Sequence, residues 1–300
     1  MKFSVEPWAP EYGTPLSPDL EETTTIPDVD VEVAAGKWQP IGPSVAPAST
    51  VLFVDGVRRI DANVWIGDDQ PMLGICATYA AGAVRSDGDA KLVAAAVRRG
   101  LFTSSPHAEA VETRHGRYEV RATAASSTEV LWLGLQQRMG ELEREVSSEH
   151  LDADLVVTDG PLRLGREPGV VGYVKTHHVQ YLPPGLNGVL AALRPGERTP
   201  LFLMTTAWSR YSWYQRLPGG GTGPFAGVVR CEASADQDVA SARSLADRVA
   251  VTLPRFASER HKDPRAPQNL YPIGGLEREL RRRLGDQHLL YRALQVAAGA

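Results

Sequence analysis

The stretches Val51-Leu52-Phe53-Val54-Asp55-Gly56 and Leu155-Val156-Val157-Thr158-Asp159-Gly160 each carry an apolar run into an Asp-Gly pair. The runs are β-branched and aliphatic without polar alternation, which is typical of strands that are buried on both faces. Each aspartate is therefore expected where its strand ends, and the glycine after it lets a ligand approach the backbone closely. If the two strands are neighbours, Asp55 and Asp159 converge at one edge of a sheet. Because carboxylates repel one another unless a cation lies between them, the pair predicts a divalent-metal site.

The composition is that of a globular protein, with 300 residues of which 43% are hydrophobic and 23% charged. A formal net charge of -4 argues against a globally basic nucleic-acid binder. Cys76 and Cys231 are far apart in apolar contexts, so they support neither a disulfide framework nor a CxxC zinc site. The sequence has no signal-peptide core and no apolar run of the ~20 residues that span a bilayer. We therefore expect a cytoplasmic protein without a membrane segment.

The chain is expected to divide into an arm and a main domain. Residues 1–49 are rich in proline, threonine and acidic residues, and they predict an extended N-terminal arm that packs on the body or on a partner. Aromatic residues give this arm apolar surface to bury, which argues against disorder. Residues 50–300 are expected to form one domain that ends in a helical extension.

Hydrophobic periodicity predicts the α/β class, with a mixed sheet and helices on its faces. The first three strands are expected to form a meander with a tight link at Asp55-Gly56. Residues 92–97 are ambiguous between strand and helix, whereas apolar residues at three- and four-residue spacing make 128–149 the clearest helix. The predicted strands are 51–54, 58–67, 72–79, 117–124, 155–158, 170–175, 200–206 and 226–233, and the further helices are 187–194, 239–250 and 274–298.

A third metal ligand is expected from the helix at 128–149, which lies between the two aspartates in the chain. Mg²⁺ and Mn²⁺ are commonly bound by two or three carboxylates together with water and phosphate oxygens. At ~100° per residue, Glu143 and Glu145 flank the apolar stripe of this helix, whereas Glu141 lies further round. Helical phase therefore favours Glu143 or Glu145 over Glu141 without deciding between them.

Two further groups of residues are candidates for contacts with a phosphate. Lys175 follows Asp159 by sixteen residues, and it either holds a scissile phosphate as a point charge or is a solvated strand end. His177 and His178 are candidate phosphate contacts, but adjacent strand residues point to opposite faces and make a poor metal pair.

Aromatic residues and arginines interleave ahead of a glycine run at 219–221, as in Arg210, Tyr211, Trp213 and Arg216. A single-strand channel needs this combination, because bases stack on rings while guanidinium groups meet phosphates. Core packing or a dimer interface explains the same aromatic residues equally well. Residues 255–283 carry a local excess of basic side chains that either follows a DNA backbone or is a solvated helix face.

In order along the chain, Phe53-Val54-Asp55-Gly56, Leu155-Val156-Val157-Thr158-Asp159-Gly160-Pro161-Leu162, Val171-Gly172-Tyr173-Val174-Lys175-Thr176 and the segment 263–273 resemble the NurA nuclease family. The resemblance covers roughly residues 50–285. It implies a ribonuclease H-like mixed sheet flanked by helices, and Mn²⁺-dependent cleavage of DNA, with Mg²⁺ as an alternative ion. It also implies 5′-to-3′ exonuclease and single-strand endonuclease activity in DNA end resection and double-strand break repair. The implied assembly is a homodimer that docks on a hexameric HerA-type translocase.

By this resemblance Asp55 and Asp159 match the catalytic aspartates of the family. The family's helix glutamate falls at Glu141, three residues after Arg138, which disagrees with helical phase; Glu141 is ranked first and Glu143 second. Many members carry a histidine after a Tyr-Pro motif, where this chain has Leu276-Glu277-Arg278-Glu279, and His261 is the nearest substitute. The predicted DNA contacts are Arg210, Tyr211, Trp213, Arg216, His261 and Arg265.

The sequence therefore predicts a DNA nuclease in which Asp55, Asp159 and a helix glutamate bind two Mn²⁺ or Mg²⁺ ions and Lys175 stabilises developing charge. One alternative is an ATPase of the actin and sugar-kinase type, which needs Gly-Thr/Ser-rich turns after its aspartates. Here Val57-Arg58-Arg59 and Pro161-Leu162-Arg163 follow instead. A second alternative is a DNA-end adaptor without catalytic activity.

Overall fold

A computed structural model describes residues 26–67, 69–162, 167–175, 181–206, 208–221 and 225–299, and all structural statements refer to these residues. The strands form one mixed sheet, and the helices pack against it. The strands are β1 (Val51–Ile66), β2 (Met72–Ser86), β3 (Ala90–Thr103), β4 (Val111–Thr113), β5 (Gly116–Ala122), β6 (Leu155–Asp159), β7 (Val170–Val174), β8 (Phe202–Thr205), β9 (Ser209–Arg216) and β10 (Val228–Ser234). The helices are α1 (Thr128–Ser147), α2 (Asn187–Ala192), α3 (Val239–Thr252), α4 (Tyr271–Arg283) and α5 (Gln287–Ala298). None of these described helices is both long enough and apolar enough to cross a membrane.

The ten strands lie in the order β4-β5-β3-β2-β1-β6-β7-β10-β9-β8. Strands β1, β2 and β3 form an antiparallel meander, whereas β6 runs parallel to β1 and β7 runs parallel to β6. Strand β10 then pairs antiparallel with β7. The mixed α/β architecture predicted from periodicity is confirmed at this level.

The predicted link at Asp55-Gly56 is wrong, because β1 continues through both residues to Ile66. The antiparallel partner β2 supplies the reason, since it pairs with β1 beyond this point, with Asp55 opposite Gly82. Only the parallel partner β6 stops here, its last pair with β1 joining Val54 to Thr158. Gly56 makes room for helix α1, because a Cβ atom there would displace the side chains of Glu143 and Met139.

Three other segments differ from the sequence predictions. The ambiguous residues 92–97 belong to strand β3, and the aromatic-rich segment 209–216 forms β9, which was not predicted as a strand. The predicted helix 274–298 is two helices, because Gly285 adopts a φ of +83° that ends the first one. Asp286 then caps α5 by accepting a hydrogen bond from the backbone N–H of Leu289 at 2.9 Å.

Helices α1 and α4 cover opposite faces of β1 and β2. Ala81 packs in the cluster that contains the predicted apolar stripe of α1 (Leu131, Leu135, Met139, Leu142 and Val146). The neighbouring Ala80 and Val57 pack instead against Leu276 and Leu280 of α4. Because alternate strand residues point to opposite faces, Asp55 shares the α4 face with Val57, and Gly56 faces α1.

Residues 26–49 of the predicted arm pack on the body of the protein. Trp38 is buried, and its indole N–H donates to the carbonyl of Val29 at 2.9 Å. The carboxylate of Glu32 accepts from both terminal nitrogens of the fully buried Arg198, at 2.9 Å each. It also accepts from the backbone N–H of Leu201 at 2.7 Å, so the arm completes a polar network inside the body.

Candidate metal centre

Three carboxylates from three different elements meet at the end of strand β6. Asp55, Asp159 and Glu277 each offer an oxygen, and the three oxygens all lie within 4.8 Å of one another. Pairing of Val54 with Thr158 places the two aspartates side by side, as the sequence predicted. Helix α4 contributes Glu277, which is buried next to the leucines that anchor the helix on β1 and β2. We call this group the carboxylate site.

Asp55 is the least satisfied member of the carboxylate site. Only 7% of the residue is exposed, and its Oδ1 accepts from the backbone N–H of Gly56 at 2.7 Å. Its Oδ2 is buried and has no hydrogen-bond partner among the described residues. Burial raises the pKa of Asp55 well above its usual value, and the charge of Asp159 raises it further. A buried carboxylate oxygen without a partner is costly, and a bound cation would remove that cost.

Asp159 is paired with Lys175 at the end of the neighbouring strand. The ammonium Nζ lies 2.7 Å from Oδ2 of Asp159, and the lysine side chain is only 4% exposed. Burial raises the pKa of Asp159, although the charge of Lys175 and its hydrogen bond act in the opposite direction. The solvated strand end that was one interpretation of Lys175 is therefore excluded by its burial.

The backbone after Asp159 is held in place by two contacts. Gly160 has a φ of +94° and donates its N–H to the carbonyl of Tyr173 at 2.8 Å. The N–H of Leu162 donates at 3.0 Å to the carboxylate of Glu232, which is fully buried on β10. Leu162 crosses directly over Gly172 of β7, where a Cβ atom would collide with the backbone of Leu162.

Arg265 orients Glu277 with two parallel hydrogen bonds. Its Nη1 and Nη2 lie 3.1 and 2.7 Å from the two carboxylate oxygens of Glu277. Burial by itself would raise the pKa of Glu277, but the hydrogen bond from Arg265 and the charge of Lys175 lower it below its usual value. Glu277 is therefore held as an anion that faces the two aspartates.

Residues 263–270, which we call the clamp loop, contain Arg265 and also contact Lys175 through Asn269. Asn269 accepts from Lys175 Nζ through Oδ1 at 3.0 Å and donates through Nδ2 to Asp263 at 2.6 Å. Asp263 in turn accepts from the backbone N–H of Arg265 at 2.8 Å. Gln268 fixes the loop to the sheet by donating to the carbonyl of Lys175 at 3.2 Å.

The structure does not bring Glu141 to the carboxylate site. Its carboxylate is on the surface, where it accepts from Arg138 at 2.8 Å. Glu143 is buried beside Gly56 on the α1 side of β1, and its charge contributes to the raised pKa of Asp55. Glu277, the third carboxylate of the group, was not predicted, and its only signal in the sequence is that Leu276-Glu277-Arg278-Glu279 departs from the pattern that the chain otherwise resembles.

The predicted DNA contacts are placed differently from one another. Trp213 is fully buried and Tyr211 is 8% exposed, so both rings belong to the core and neither can stack on a base. Arg210 is engaged by Glu232 at 3.2 Å, and Arg216 donates to the carbonyl of Leu190 at 3.0 Å. His261 is exposed beside Glu259, Arg265 is paired with Glu277, and His177 and His178 lie outside the described residues.

Mn²⁺ is expected to raise the free energy of unfolding by about 2.7 kcal/mol when the free ion is at about 100 times its Kd. At one fixed Mn²⁺ concentration the gain should be larger at pH 8 than at pH 5, because burial and Asp159 raise the pKa of Asp55 and a proton then competes with the ion and weakens its binding at lower pH. Without the ion, a raised folded-state pKa makes this carboxylate destabilising as the pH rises above its unfolded value. Thermal unfolding with Mn²⁺ and with EDTA at both pH values checks this, and equal gains would contradict it.

The residues present fit a hard divalent cation. Carboxylates are the ligands that Mg²⁺ and Mn²⁺ prefer, and one buried carboxylate oxygen lacks any partner among the described residues. The bidentate Arg265 holds the third carboxylate in place, as is common for ligands around metal ions.

Compared with known proteins, the chain matches no family model and no curated protein.

Proposed function

We propose that this protein is a metal-dependent DNA nuclease that hydrolyses phosphodiester bonds at the carboxylate site. The observation that carries the proposal is the carboxylate of Asp55, which lies in one group with those of Asp159 and Glu277 and whose buried Oδ2 has no partner among the described residues. Two strand residues and one helix residue thus hold three carboxylates together at a cost that a divalent cation offsets. Mn²⁺ is the proposed ion, with Mg²⁺ as the alternative.

The strand order is consistent with the ribonuclease H-like core that the NurA resemblance implies. The central five strands β3-β2-β1-β6-β7 combine an antiparallel meander with two parallel strands. The carboxylate site lies at the C-terminal end of β6, where its parallel pairing with β1 stops, and open α/β sheets generally bind their ligands at such strand ends.

Each residue of the centre has a proposed role in hydrolysis. Asp55, Asp159 and Glu277 would hold the ion, which when bound lowers the pKa of a water molecule and offsets charge on a phosphodiester. Lys175 keeps a buried positive charge beside Asp159, where it stabilises the charge that develops on the phosphate oxygens. Arg265 and Asn269 keep Glu277 and Lys175 in these positions.

The ordered motifs that resemble the NurA family support DNA as the substrate. With that substrate we propose 5′-to-3′ exonuclease and single-strand endonuclease activity in DNA end resection and double-strand break repair. The same resemblance supports a homodimer and a hexameric HerA-type ATPase as partner.

Incubation of the purified protein with end-labelled single-stranded and duplex DNA tests this function. Cleavage is expected with Mn²⁺ and is expected to be lost with EDTA, because the three carboxylates alone cannot supply a nucleophile. Asp159→Asn should lose cleavage, whereas Asp152→Asn, an exposed aspartate paired with Arg85 on the surface, should cleave at the unchanged rate. ATP offered in place of DNA separates the ATPase alternative, and cleavage by Asp159→Asn at the unchanged rate would refute the assignment.

A further inference from the structure

We propose that Lys175 takes the place of a second cation, so that the carboxylate site binds one divalent ion beside a fixed ammonium group and not two ions. The inference rests on the proposed metal site and narrows it, because the sequence by itself predicts a pair of ions. In this proposal the positive charge of Lys175 is a fixed part of the site even in the absence of substrate.

The first argument is the position of the ammonium group. Nζ of Lys175 is hydrogen-bonded to Oδ2 of Asp159 at 2.7 Å and to Oδ1 of Asn269 at 3.0 Å, with 4% of the side chain exposed. Two metal ions that act together lie ~3.5–4 Å apart and share carboxylate oxygens. A second ion on Oδ2 of Asp159 would lie close to the ammonium group, whose fixed positive charge repels it.

The second argument is that the clamp loop holds the lysine in this position. The amide of Asn269 must present its oxygen to Lys175, because its Nδ2 is committed to Asp263 at 2.6 Å. Asp263 is bound by Arg265, and Arg265 is bound to Glu277. These contacts form a chain of hydrogen bonds from Asp159 to Glu277, and they restrain the ammonium group from moving aside.

The third argument is the supply of free oxygens. Both oxygens of Glu277 accept from Arg265, Oδ2 of Asp159 accepts from Lys175, and Oδ1 of Asp55 accepts from Gly56. Among the described residues Oδ2 of Asp55 is buried without a partner, and Lys175 binds only one of the two oxygens of Asp159. Oδ2 of Asp55, the other oxygen of Asp159 and one carboxylate oxygen of Glu277, completed by water, suit one Mg²⁺ or Mn²⁺ ion, which usually keeps several water ligands.

The fourth argument is charge. Four carboxylates, those of the carboxylate site and of Asp263, are joined by the two cations Lys175 and Arg265. Two negative charges remain, which a single divalent ion neutralises. A second divalent ion would leave an excess of positive charge in a buried place unless another anion came with it.

Electron paramagnetic resonance of the full chain with Mn²⁺ tests the proposal. The wild-type protein is expected to bind one Mn²⁺ with the spectrum of an isolated ion, both alone and with a phosphorothioate-substituted single-stranded oligonucleotide. Lys175→Met removes the charge with little change of shape, and it is expected to gain a second, weaker Mn²⁺ and a spin-coupled spectrum. Lys175→Arg keeps the charge and is expected to bind one ion.

Two spin-coupled Mn²⁺ ions in the wild-type protein would overturn the proposal, as would a Lys175→Met protein that still binds one. The wild-type spectrum decides the question even if Lys175→Met does not fold. Absence of any bound Mn²⁺ from the wild-type protein is a different result, because it removes the proposed nuclease site itself.

Discussion

Asp55→Asn is expected to slow Mn²⁺-dependent DNA cleavage by about 10²–10³-fold, the loss that follows removal of one preorganised electrostatic group. The substitution keeps the size of the side chain but removes the charge of the buried carboxylate that is grouped with Asp159 and Glu277. DNA affinity should be retained, because the substitution alters the metal site and not the surface. Cleavage of labelled duplex and single-stranded DNA, with a filter-binding assay for affinity, measures both quantities.

The same variant should be at least as stable as the wild-type protein in EDTA. Burial and the charge of Asp159 raise the pKa of Asp55, so its ionised form is destabilising in the absence of an ion. A neutral asparagine removes that repulsion, and the melting temperature in EDTA should stay the same or rise. Addition of Mn²⁺ should then no longer stabilise the protein.

Asp61→Asn is the matched control, since Asp61 is a buried aspartate on the same strand. Its carboxylate is satisfied by Thr78 at 2.5 Å, Tyr118 at 3.0 Å and Arg59 at 2.9 Å. Loss of a charged acceptor there is expected to destabilise the protein by about 1–3 kcal/mol while leaving Mn²⁺ affinity unchanged. If Asp55→Asn behaves like this control, with lower stability and unchanged cleavage, Asp55 is a structural residue and the adaptor alternative is favoured.

Glu32→Ala is expected to have the largest effect on stability, lowering the free energy of unfolding by about 3 kcal/mol. Arg198 is fully buried, and Glu32 is its bidentate partner at 2.9 Å through each terminal nitrogen. Asp247 remains bound to Arg198 at 2.7 Å, which keeps the loss near the lower end of the range for broken buried pairs. Urea unfolding followed by circular dichroism measures the change.

Glu112→Ala is the control for this experiment. Glu112 pairs with Arg117 at 3.0 Å, but both side chains are more than half exposed, so the pair should contribute less than ~1 kcal/mol. A Glu32→Ala protein as stable as Glu112→Ala would mean that residues 26–49 are not part of the cooperative folded unit. Acid should act in the same direction as Glu32→Ala, because Arg198 lowers the pKa of Glu32 against the effect of burial, and that stabilisation is lost as the pH falls through the folded-state pKa.

The parts of the fold that could be predicted depend on local patterns. The apolar stripe of α1 and the buried runs before Asp55 and Asp159 are set by residues close together in the chain, and the structure contains all three. Strand β9 was missed because the same pattern of aromatic residues fits both a buried core strand and a binding surface. The link at Asp55-Gly56 was misplaced because the length of β1 depends on its pairing with β2 and not on its own residues.

The candidate site divides in the same way. Lys175 was predicted as a site residue from its position sixteen residues after Asp159 in the sequence. Its burial and its contact with Asn269 depend on a loop far along the chain. The helix glutamates were preferred as the third ligand because they lie between the aspartates in sequence. Asp55 points to the face of β1 that α4 covers, and the order of the helices in the sequence does not decide which of them packs on that face.

The sequence by itself therefore determined the α/β class, the convergence of Asp55 and Asp159 and the expectation of a hard cation between them. These conclusions follow from strand periodicity and from the repulsion of like charges, which act locally. Only the tertiary structure decided that Glu277 is the third carboxylate, that Glu141 is a surface residue and that Lys175 is enclosed. The physical reason is that Glu277 reaches the site by the packing of α4 on β1 and β2, a contact between distant segments that no local pattern encodes.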